Sequence, residues 1–249
     1  MADTKSKQRR FLVSNPHQVK EAVVVAHDTL LSSMKMHKDW QYEKGLLPPL
    51  KLDKYNQALF DTFHWIEDTN EIFKNIELIL DDLALYSTLH NPSFYFMPGD
   101  KTTRYFLLIR TFFYEFYRIK EIFNLFLAKM KKIKVFSKAE VEEARTEFHK
   151  AFEHAFTLRN QMVHRRFIWG GQKHCCLVTV RACESFGYCM ENMDSGELVQ
   201  ADNLLAELVA EWSEQLFAET KPMVEVIDAL ACHVTDTIVT TLTKDPTRE

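Results

Sequence analysis

The chain has 249 residues with only 6 Gly and 7 Pro, a composition that favours long helices over turn-rich β-structure. Its formal net charge is −4, so any contact with RNA requires a local basic patch. No stretch approaches about 18 uninterrupted apolar residues, and the N-terminus lacks the apolar core of a signal peptide, which argues against membrane insertion and secretion. The five cysteines, an odd number, indicate reduced thiols, so we expect a cytoplasmic protein.

The first half of the chain is predicted to contain a flexible basic arm over residues 1–13 and three long helices. Apolar residues recur at helical spacing over about residues 15–44, 53–90 and 102–132. The pattern skips a step at residues 68–70, where an interruption of the second helix is expected. The third helix is apolar on several sides, so we expect it to lie at the centre of a bundle.

The second half begins with a capping box at residues 137–140, which opens a helix predicted to continue to about Phe167. The β-branched run at residues 175–183 is compatible with a short strand or a hairpin. Helical spacing returns at about Ala201 and restarts at Pro222. We therefore predict a single all-α domain, an up-and-down helical bundle with a short β-hairpin before the C-terminal helices.

Arg159 lies inside an apolar stripe of the fourth predicted helix. With about 100° per residue, it falls about 20° from Phe148. A guanidinium keeps its charge when buried, so it needs a carboxylate, a phosphate or an opening to water. We expect Arg159 to be largely buried and paired with Glu115 or Glu121, or else to line a cleft. The stripe consists of Ala144, Phe148, Ala151, Phe152, Ala155, Leu158 and Met162.

The segment around Arg159 is locally basic. His164 lies about 140° further round the helix than Arg159, on the same side as Asn160. No Asp or Glu occurs from Ala155 to Cys183. The basic residues of this segment are Arg159, Arg165, Arg166, Lys173 and Arg181. Of these, Arg165, Arg166 and Lys173 are the candidate RNA-binding residues.

The string Arg159-Asn160-x-x-x-His164 resembles the R-x(4–6)-H signature of the HEPN superfamily. The all-helical domains of that superfamily include many metal-independent ribonucleases of toxin and antiviral-defence systems. An Asn directly after the Arg is the commonest form of the signature. The resemblance covers about residues 55–245, although only the motif is specific, and it implies one HEPN-like domain within residues 1–249.

The resemblance implies an RNA endonuclease without metal or cofactor, in which two motifs face each other across a homodimer. Arg159 would bind the scissile phosphate, His164 would move a proton, and Asn160 would orient the imidazole or bond the phosphate. An antitoxin or another protein is an expected partner, and no binding to a membrane is expected. The alternative is a non-catalytic HEPN-like module that binds a nucleotide, RNA or a protein. The third possibility is a helical protein unrelated to HEPN.

Metal-site alternatives find weaker support in the sequence. A di-iron bundle requires Glu-x-x-His pairs on two helices, and the chain has none. One group of potential zinc ligands lacks paired C-x-x-C spacing, and its role stays open. It consists of His174, Cys175, Cys176, Cys183 and Cys189.

Overall fold

The structure, a computed structural model, describes residues 11–36, 50–86, 101–164, 172–191 and 195–243. This part of the chain contains seven helices and one two-stranded hairpin, which confirms the predicted all-α helical bundle with a short β-hairpin before the C-terminal helix. No helix within these ranges is long and apolar enough to cross a membrane. The elements are α1 (His17–Met36), α2 (Lys54–Tyr86), α3 (Lys101–Lys132), α4 (Lys138–Ala151), α5 (Glu153–His164), α6 (Gln172–Phe186), β1 (Cys189–Glu191), β2 (Leu198–Gln200) and α7 (Ala201–Thr243).

The chain divides into two compact units. The first unit comprises Met1–Phe11, Ile72–Arg118 and Phe152–Met223, and the second comprises Leu12–Glu71, Ile119–Ala151 and Val224–Glu249. The helices α2, α3 and α7 each contribute residues to both units. The assignment of residues 1–249 to one domain stays a prediction.

Helix α2 continues without a break through residues 68–70, so the expected interruption is wrong. Two buried polar residues explain the gap in the apolar pattern. The Thr69 hydroxyl donates to the Trp65 carbonyl at 2.8 Å. The Asn70 side chain accepts from the Val13 N–H at 2.8 Å and donates to the Val13 carbonyl at 3.1 Å. Polar side chains can occupy these core positions because their hydrogen bonds are satisfied there.

The segment before α1 is packed from Phe11 onward. Phe11 and Val13 fall within the predicted basic arm, yet both are buried. The Phe11 N–H donates to Glu77 at 2.6 Å within the first unit, and the Phe11 ring lies 5.2 Å from that of Phe217. Residues 1–10 of the predicted arm and residues 37–44 of the first predicted helix lie outside the described residues. Helix α1 follows Pro16, as the sequence predicted.

An aromatic core joins α2 to α3 in the second unit. Trp65 stacks on Phe126 with ring centroids 4.8 Å apart, and it lies 5.4 Å from Phe123. Asp61, one turn earlier in α2, pairs with Lys129, later in α3, at 3.6 Å. Contacts that move forward along one helix and backward along the other show that the two helices run antiparallel here. Such aromatic pairs contribute about 0.5–1.5 kcal/mol each beyond their buried area.

The core of the first unit contains the largest fully buried side chains of α3 and α7. Tyr105 and Trp212 are both fully buried, and their rings lie 5.7 Å apart. Phe112 meets Phe113 and Phe116 edge to face at 5.2 and 4.9 Å. Burial raises the pKa of the Tyr105 hydroxyl well above its ordinary value, so this group stays neutral.

The start of α4 follows the sequence prediction. Ser137 and Glu140 form the expected capping box, in which the Ser137 N–H donates to Glu140 at 2.7 Å and the Glu140 N–H donates to the Ser137 hydroxyl at 3.3 Å. Lys134, in the turn that follows α3, has a φ of 58°. The Val135 N–H reaches back to the Met130 carbonyl at 2.9 Å, which closes a Schellman turn.

Two predicted elements are corrected. The helix expected to run unbroken from residues 137–140 to Phe167 is interrupted by a turn at Phe152. Helix α5 is described as far as His164, and residues 165–167 of the predicted helix lie outside the described residues. The run at residues 175–183 belongs to helix α6, not to a strand. Val180 and Cys183 are buried three residues apart, a helical interval that outweighs the β-branched composition.

The hairpin lies later in the chain than the β-branched run. Strands β1 and β2 pair antiparallel, with Met190 opposite Val199. Gly187 and Gly196, with φ of 67° and 71°, allow the turns at the end of α6 and before β2. Helix α7 then continues through Pro222, so the restart expected there is not a break.

Candidate functional site

Helix α5 places Arg159 at the edge of a buried stripe. Phe152, Ala155 and Phe156 are buried, and Arg159 follows at the next position of the same face, half-buried. The Phe156 N–H donates to the Phe152 carbonyl at 3.1 Å, so the turn at Phe152 leads directly into α5. The predicted position of Arg159 in an apolar stripe therefore holds within α5, while the side chains of Leu158 and Met162 are outside the described residues.

The guanidinium of Arg159 lies against two tyrosines of α3. Its central carbon is 4.0 Å from the Tyr117 ring centroid and 5.8 Å from that of Tyr114. The Tyr117 ring meets Phe156 edge to face at 6.2 Å, which fixes the surface that Arg159 covers. A cation over an aromatic face gains about 0.5–2 kcal/mol, depending on how far it is desolvated. Arg159 is therefore positioned by aromatic contacts.

The ion pair expected between Arg159 and Glu115 does not form. Glu115 instead accepts from Arg118 at 2.7 Å and from Asn75 at 3.4 Å. Glu121, the other expected partner, is an exposed residue of the second unit. The physical reason lies in the shape of the guanidinium, which is planar and delocalised and can stack on an aromatic face where an ammonium would need a counter-ion.

Arg159 retains hydrogen-bonding capacity. Its Nη1 donates to Asn160 Oδ1 at 3.3 Å. Its Nε is buried and, among the residues that the structure describes, has no acceptor. No described carboxylate of the first unit is bonded to this side chain. A buried donor without a partner costs about 1–3 kcal/mol.

Asn160 is exposed. Viewed down the helix axis, Asn160 is about 100° and His164 about 140° from Arg159, so Asn160 lies between the other two. Its hydrogen bond draws the guanidinium toward the side of α5 on which residue 164 lies. His164 is the last described residue of α5, and its side chain lies outside the described residues. Within α5, Asn160 and residue 164 thus lie on one side of the helix, next to Arg159.

The remaining predicted site residues are only partly covered by the structure. Arg165 and Arg166 lie outside the described residues. Lys173 is in the first turn of α6, where the backbone is described and the side chain is not. Arg181, from the same basic segment, is exposed on α6. The proposed RNA-binding surface therefore stays a prediction.

The cysteines and the predicted zinc alternative can be followed in part. Cys183 is buried, and Cys189 and Cys232 are exposed, all three as free thiols. Within the described ranges, no group of three or more His, Cys, Asp or Glu side chains is arranged to hold a metal ion. The side chains of Cys175 and Cys176 fall outside those ranges.

Sequence reasoning missed the role of Tyr114 and Tyr117. Both belong to a polar stripe of α3 at helical spacing, with Arg110 before them and Glu121 after them. The stripe indicated a polar partner for Arg159, but only the carboxylates Glu115 and Glu121 were considered for that role. Two tyrosines three residues apart lie on one helix face and can form an aromatic surface for an Arg. This spacing is the feature of the sequence from which the contact with Arg159 could have been predicted.

Comparison of the chain with protein-family models, with curated proteins and with solved structures finds no match. The fold and the Arg159 site therefore define the class, an all-α bundle with an aromatic-supported arginine.

Proposed function

We propose that this protein is a HEPN-like, metal-independent RNA endonuclease that uses Arg159, Asn160 and His164 at the cleft of a homodimer. One observation supports this proposal most strongly. Arg159 is oriented by Tyr117 at 4.0 Å and by Asn160 at 3.3 Å, with a buried Nε that has no acceptor among the described residues. An arginine that is held in place by rings and an amide keeps its full charge for a ligand.

Phosphate is the ligand that best fits such an arginine. A guanidinium can donate two parallel hydrogen bonds to phosphate oxygens, and its charge stabilises the charge that develops on the phosphorane. An arginine neutralised by a buried carboxylate would offer much less, because a ligand could not easily displace that partner. Arg159 would therefore hold the scissile phosphate, with Tyr114 and Tyr117 as its support.

His164 supplies the proton transfers. In the proposed reaction the ribose 2′-oxygen bonds to the adjacent phosphorus, and the bond from phosphorus to the 5′-oxygen of the next nucleotide breaks. A neutral imidazole takes the 2′-hydroxyl proton, and a protonated imidazole gives a proton to the leaving 5′-oxygen. The products are a 2′,3′-cyclic phosphate and a 5′-hydroxyl. Two copies of His164 in a dimer would supply both roles.

The setting of the reaction follows from the same resemblance. Arg165, Arg166 and Lys173 would contact the RNA backbone beside the cleft, since a chain of net charge −4 attracts RNA only through local patches. We place the activity in the cytoplasm, with a role in a toxin–antitoxin or antiviral-defence system. An antitoxin or another protein partner would then restrain it.

Cleavage of single-stranded RNA in EDTA by purified wild-type protein and variants tests the proposal. His164→Ala should lower the cleavage rate by ~10²–10⁴-fold, because it removes the proton-transfer group. His154→Ala is the matched control, since His154 is an exposed histidine of the same helix α5, and its cleavage rate should equal that of wild type. Equal rates for His164→Ala and wild type would contradict the mechanism.

The alternative is the non-catalytic binding module. In that case the wild type would cleave no RNA in any buffer. Arg159→Gln would instead weaken the binding of a nucleotide, RNA or protein partner, while the helical content of the chain is unchanged. The cleavage and binding measurements together separate the two functions.

A further inference from the structure

The second unit contains a basic cavity of about 580 Å³ between α3 and α4. It is lined by Lys120, Phe123, Asn124, Arg145, Thr146, Phe148, His149 and Lys150. Three of these residues are Lys or Arg, one is His, and none is Asp or Glu. On a chain with a net charge of −4, this is a concentration of positive charge that the overall composition does not suggest. A concave site with convergent polar groups is the usual form of a ligand pocket.

Arg145 is held in position from two sides. Its Nε donates to Asn124 Oδ1 at 3.1 Å, across the interface between the two helices. Its Nη1 donates to Glu142 at 2.9 Å, and 39% of its side chain remains exposed. The second terminal nitrogen has no hydrogen-bond partner among the described residues, so its donors are available to a ligand. A guanidinium that is already ordered loses less conformational entropy when it binds an anion.

Two buried aromatic side chains contribute to the lining of the cavity. Phe123 and Phe148 stack with ring centroids 4.6 Å apart, and their exposed fractions are only 1% and 5%. A low-dielectric lining strengthens the attraction between a bound anion and the cations near it. The Arg145–Asn124 bond aligns α3 with α4, so Lys120, one turn before Asn124, is level with the last turn of α4.

Two carboxylates beside the cavity do not block it. Glu142 pairs with Arg145, and Glu147 pairs with Lys150 at 2.6 Å, both at i, i+3 spacing on α4. Arg145, Lys150 and both glutamates are each more than a third exposed. Exposed ion pairs of this kind contribute little stability, so a more highly charged anion can displace the carboxylate. The lining residues themselves include no competing negative charge.

We propose that this cavity is a binding site for a phosphate ester group, with Arg145 as the principal donor, supported by Lys120, Lys150 and the Asn124 amide. The same chemistry is presented by a mononucleotide and by the backbone of an RNA chain. None of the lining residues belongs to the Arg159-Asn160-x-x-x-His164 motif, so the proposal does not rest on ribonuclease activity.

Binding of inorganic phosphate, 5′-AMP and a fluorescent single-stranded RNA oligonucleotide to the full-length chain tests the site at low salt, by calorimetry and fluorescence anisotropy. Arg145→Gln should weaken the Kd for the bound probe by roughly tenfold, because a charge-assisted hydrogen bond is lost. Asn124→Asp should weaken binding to a similar extent, because the new carboxylate repels the phosphate. The carboxylate can still accept the hydrogen bond from Arg145, so the fold should be preserved. Lys131→Gln removes one exposed positive charge of α3 outside the cavity and should leave the Kd unchanged.

The probes distinguish the two sources of phosphate. If 5′-AMP binds and shows the variant pattern, the site takes a mononucleotide. If only the RNA oligonucleotide shows it, the site takes a chain, and Arg145→Gln should also reduce the slope of log Kd against log salt by about one. The proposal is overturned if no probe binds wild type, or if Lys131→Gln weakens binding as much as Arg145→Gln and Asn124→Asp. RNA binding is measured without cleavage, so these results stand whether or not the chain is a nuclease.

Discussion

Asn70 is expected to be one of the most sensitive polar positions in the chain. Its side chain is 2% exposed and makes both hydrogen bonds to the backbone of Val13, at 2.8 and 3.1 Å. Val13 is only 1% exposed. Asn70→Ala therefore leaves the Val13 N–H and carbonyl buried and without a hydrogen-bond partner. Each orphaned group costs about 1–3 kcal/mol, so the free energy of unfolding should fall by about 2–5 kcal/mol. That is a large fraction of the total of about 5–15 kcal/mol for a typical domain.

Urea unfolding followed by circular dichroism measures this effect. Asn75→Ala is the matched control, because Asn75 lies on the same helix and makes a longer bond, 3.4 Å to Glu115, which Arg118 continues to hold. It should cost about 1 kcal/mol or less. If Asn70→Ala and Asn75→Ala unfold at the same urea concentration, Asn70 does not clamp the segment before α1.

Two further predictions concern α3 and α4. Hydrogen bonds from the Ser137 side chain and backbone lower the pKa of Glu140 below 4.5. Its contribution to stability is therefore present above the unfolded pKa and is lost as the pH falls through the lower folded pKa. The stability difference between wild type and Glu140→Gln should shrink as the pH falls below about 4.5, and a difference independent of pH would exclude this linkage. Lys134→Gly should raise the free energy of unfolding by about 0.5–1 kcal/mol, because glycine adopts a φ of 58° without strain, and thermal unfolding that shows a loss would refute it.

Local signals predicted α2, α3 and the start of α4. The capping box at residues 137–140 and the apolar spacing of α2 and α3 are properties of neighbouring residues, and the structure confirms them. The apparent gap at residues 68–70 depended on a distant residue. Asn70 bonds Val13, and no local pattern reveals a partner 57 residues away. Tertiary hydrogen bonding there outweighed the periodicity.

The candidate site shows the same limit. The position of Arg159 in an apolar stripe was predictable from helical spacing within α5. Its partner was not, because a half-buried guanidinium can lie over aromatic faces as well as pair with a carboxylate, and Glu115 is bound to Arg118. The assignment of residues 175–183 to a strand failed because β-branched residues are tolerated in a helix when their spacing buries one face, as at Val180.

The central claim is that the chain cleaves RNA through its own side chains. The most direct measurement incubates purified wild-type protein with a single-stranded RNA in excess EDTA and determines the ends of the products. We predict cleavage that leaves 2′,3′-cyclic phosphate and 5′-hydroxyl ends. We predict no cleavage of an oligonucleotide of the same sequence with 2′-deoxyribose throughout, because the 2′-oxygen is the nucleophile. Cleavage that stops when EDTA is added, or that proceeds equally on the 2′-deoxy oligonucleotide, would contradict the account.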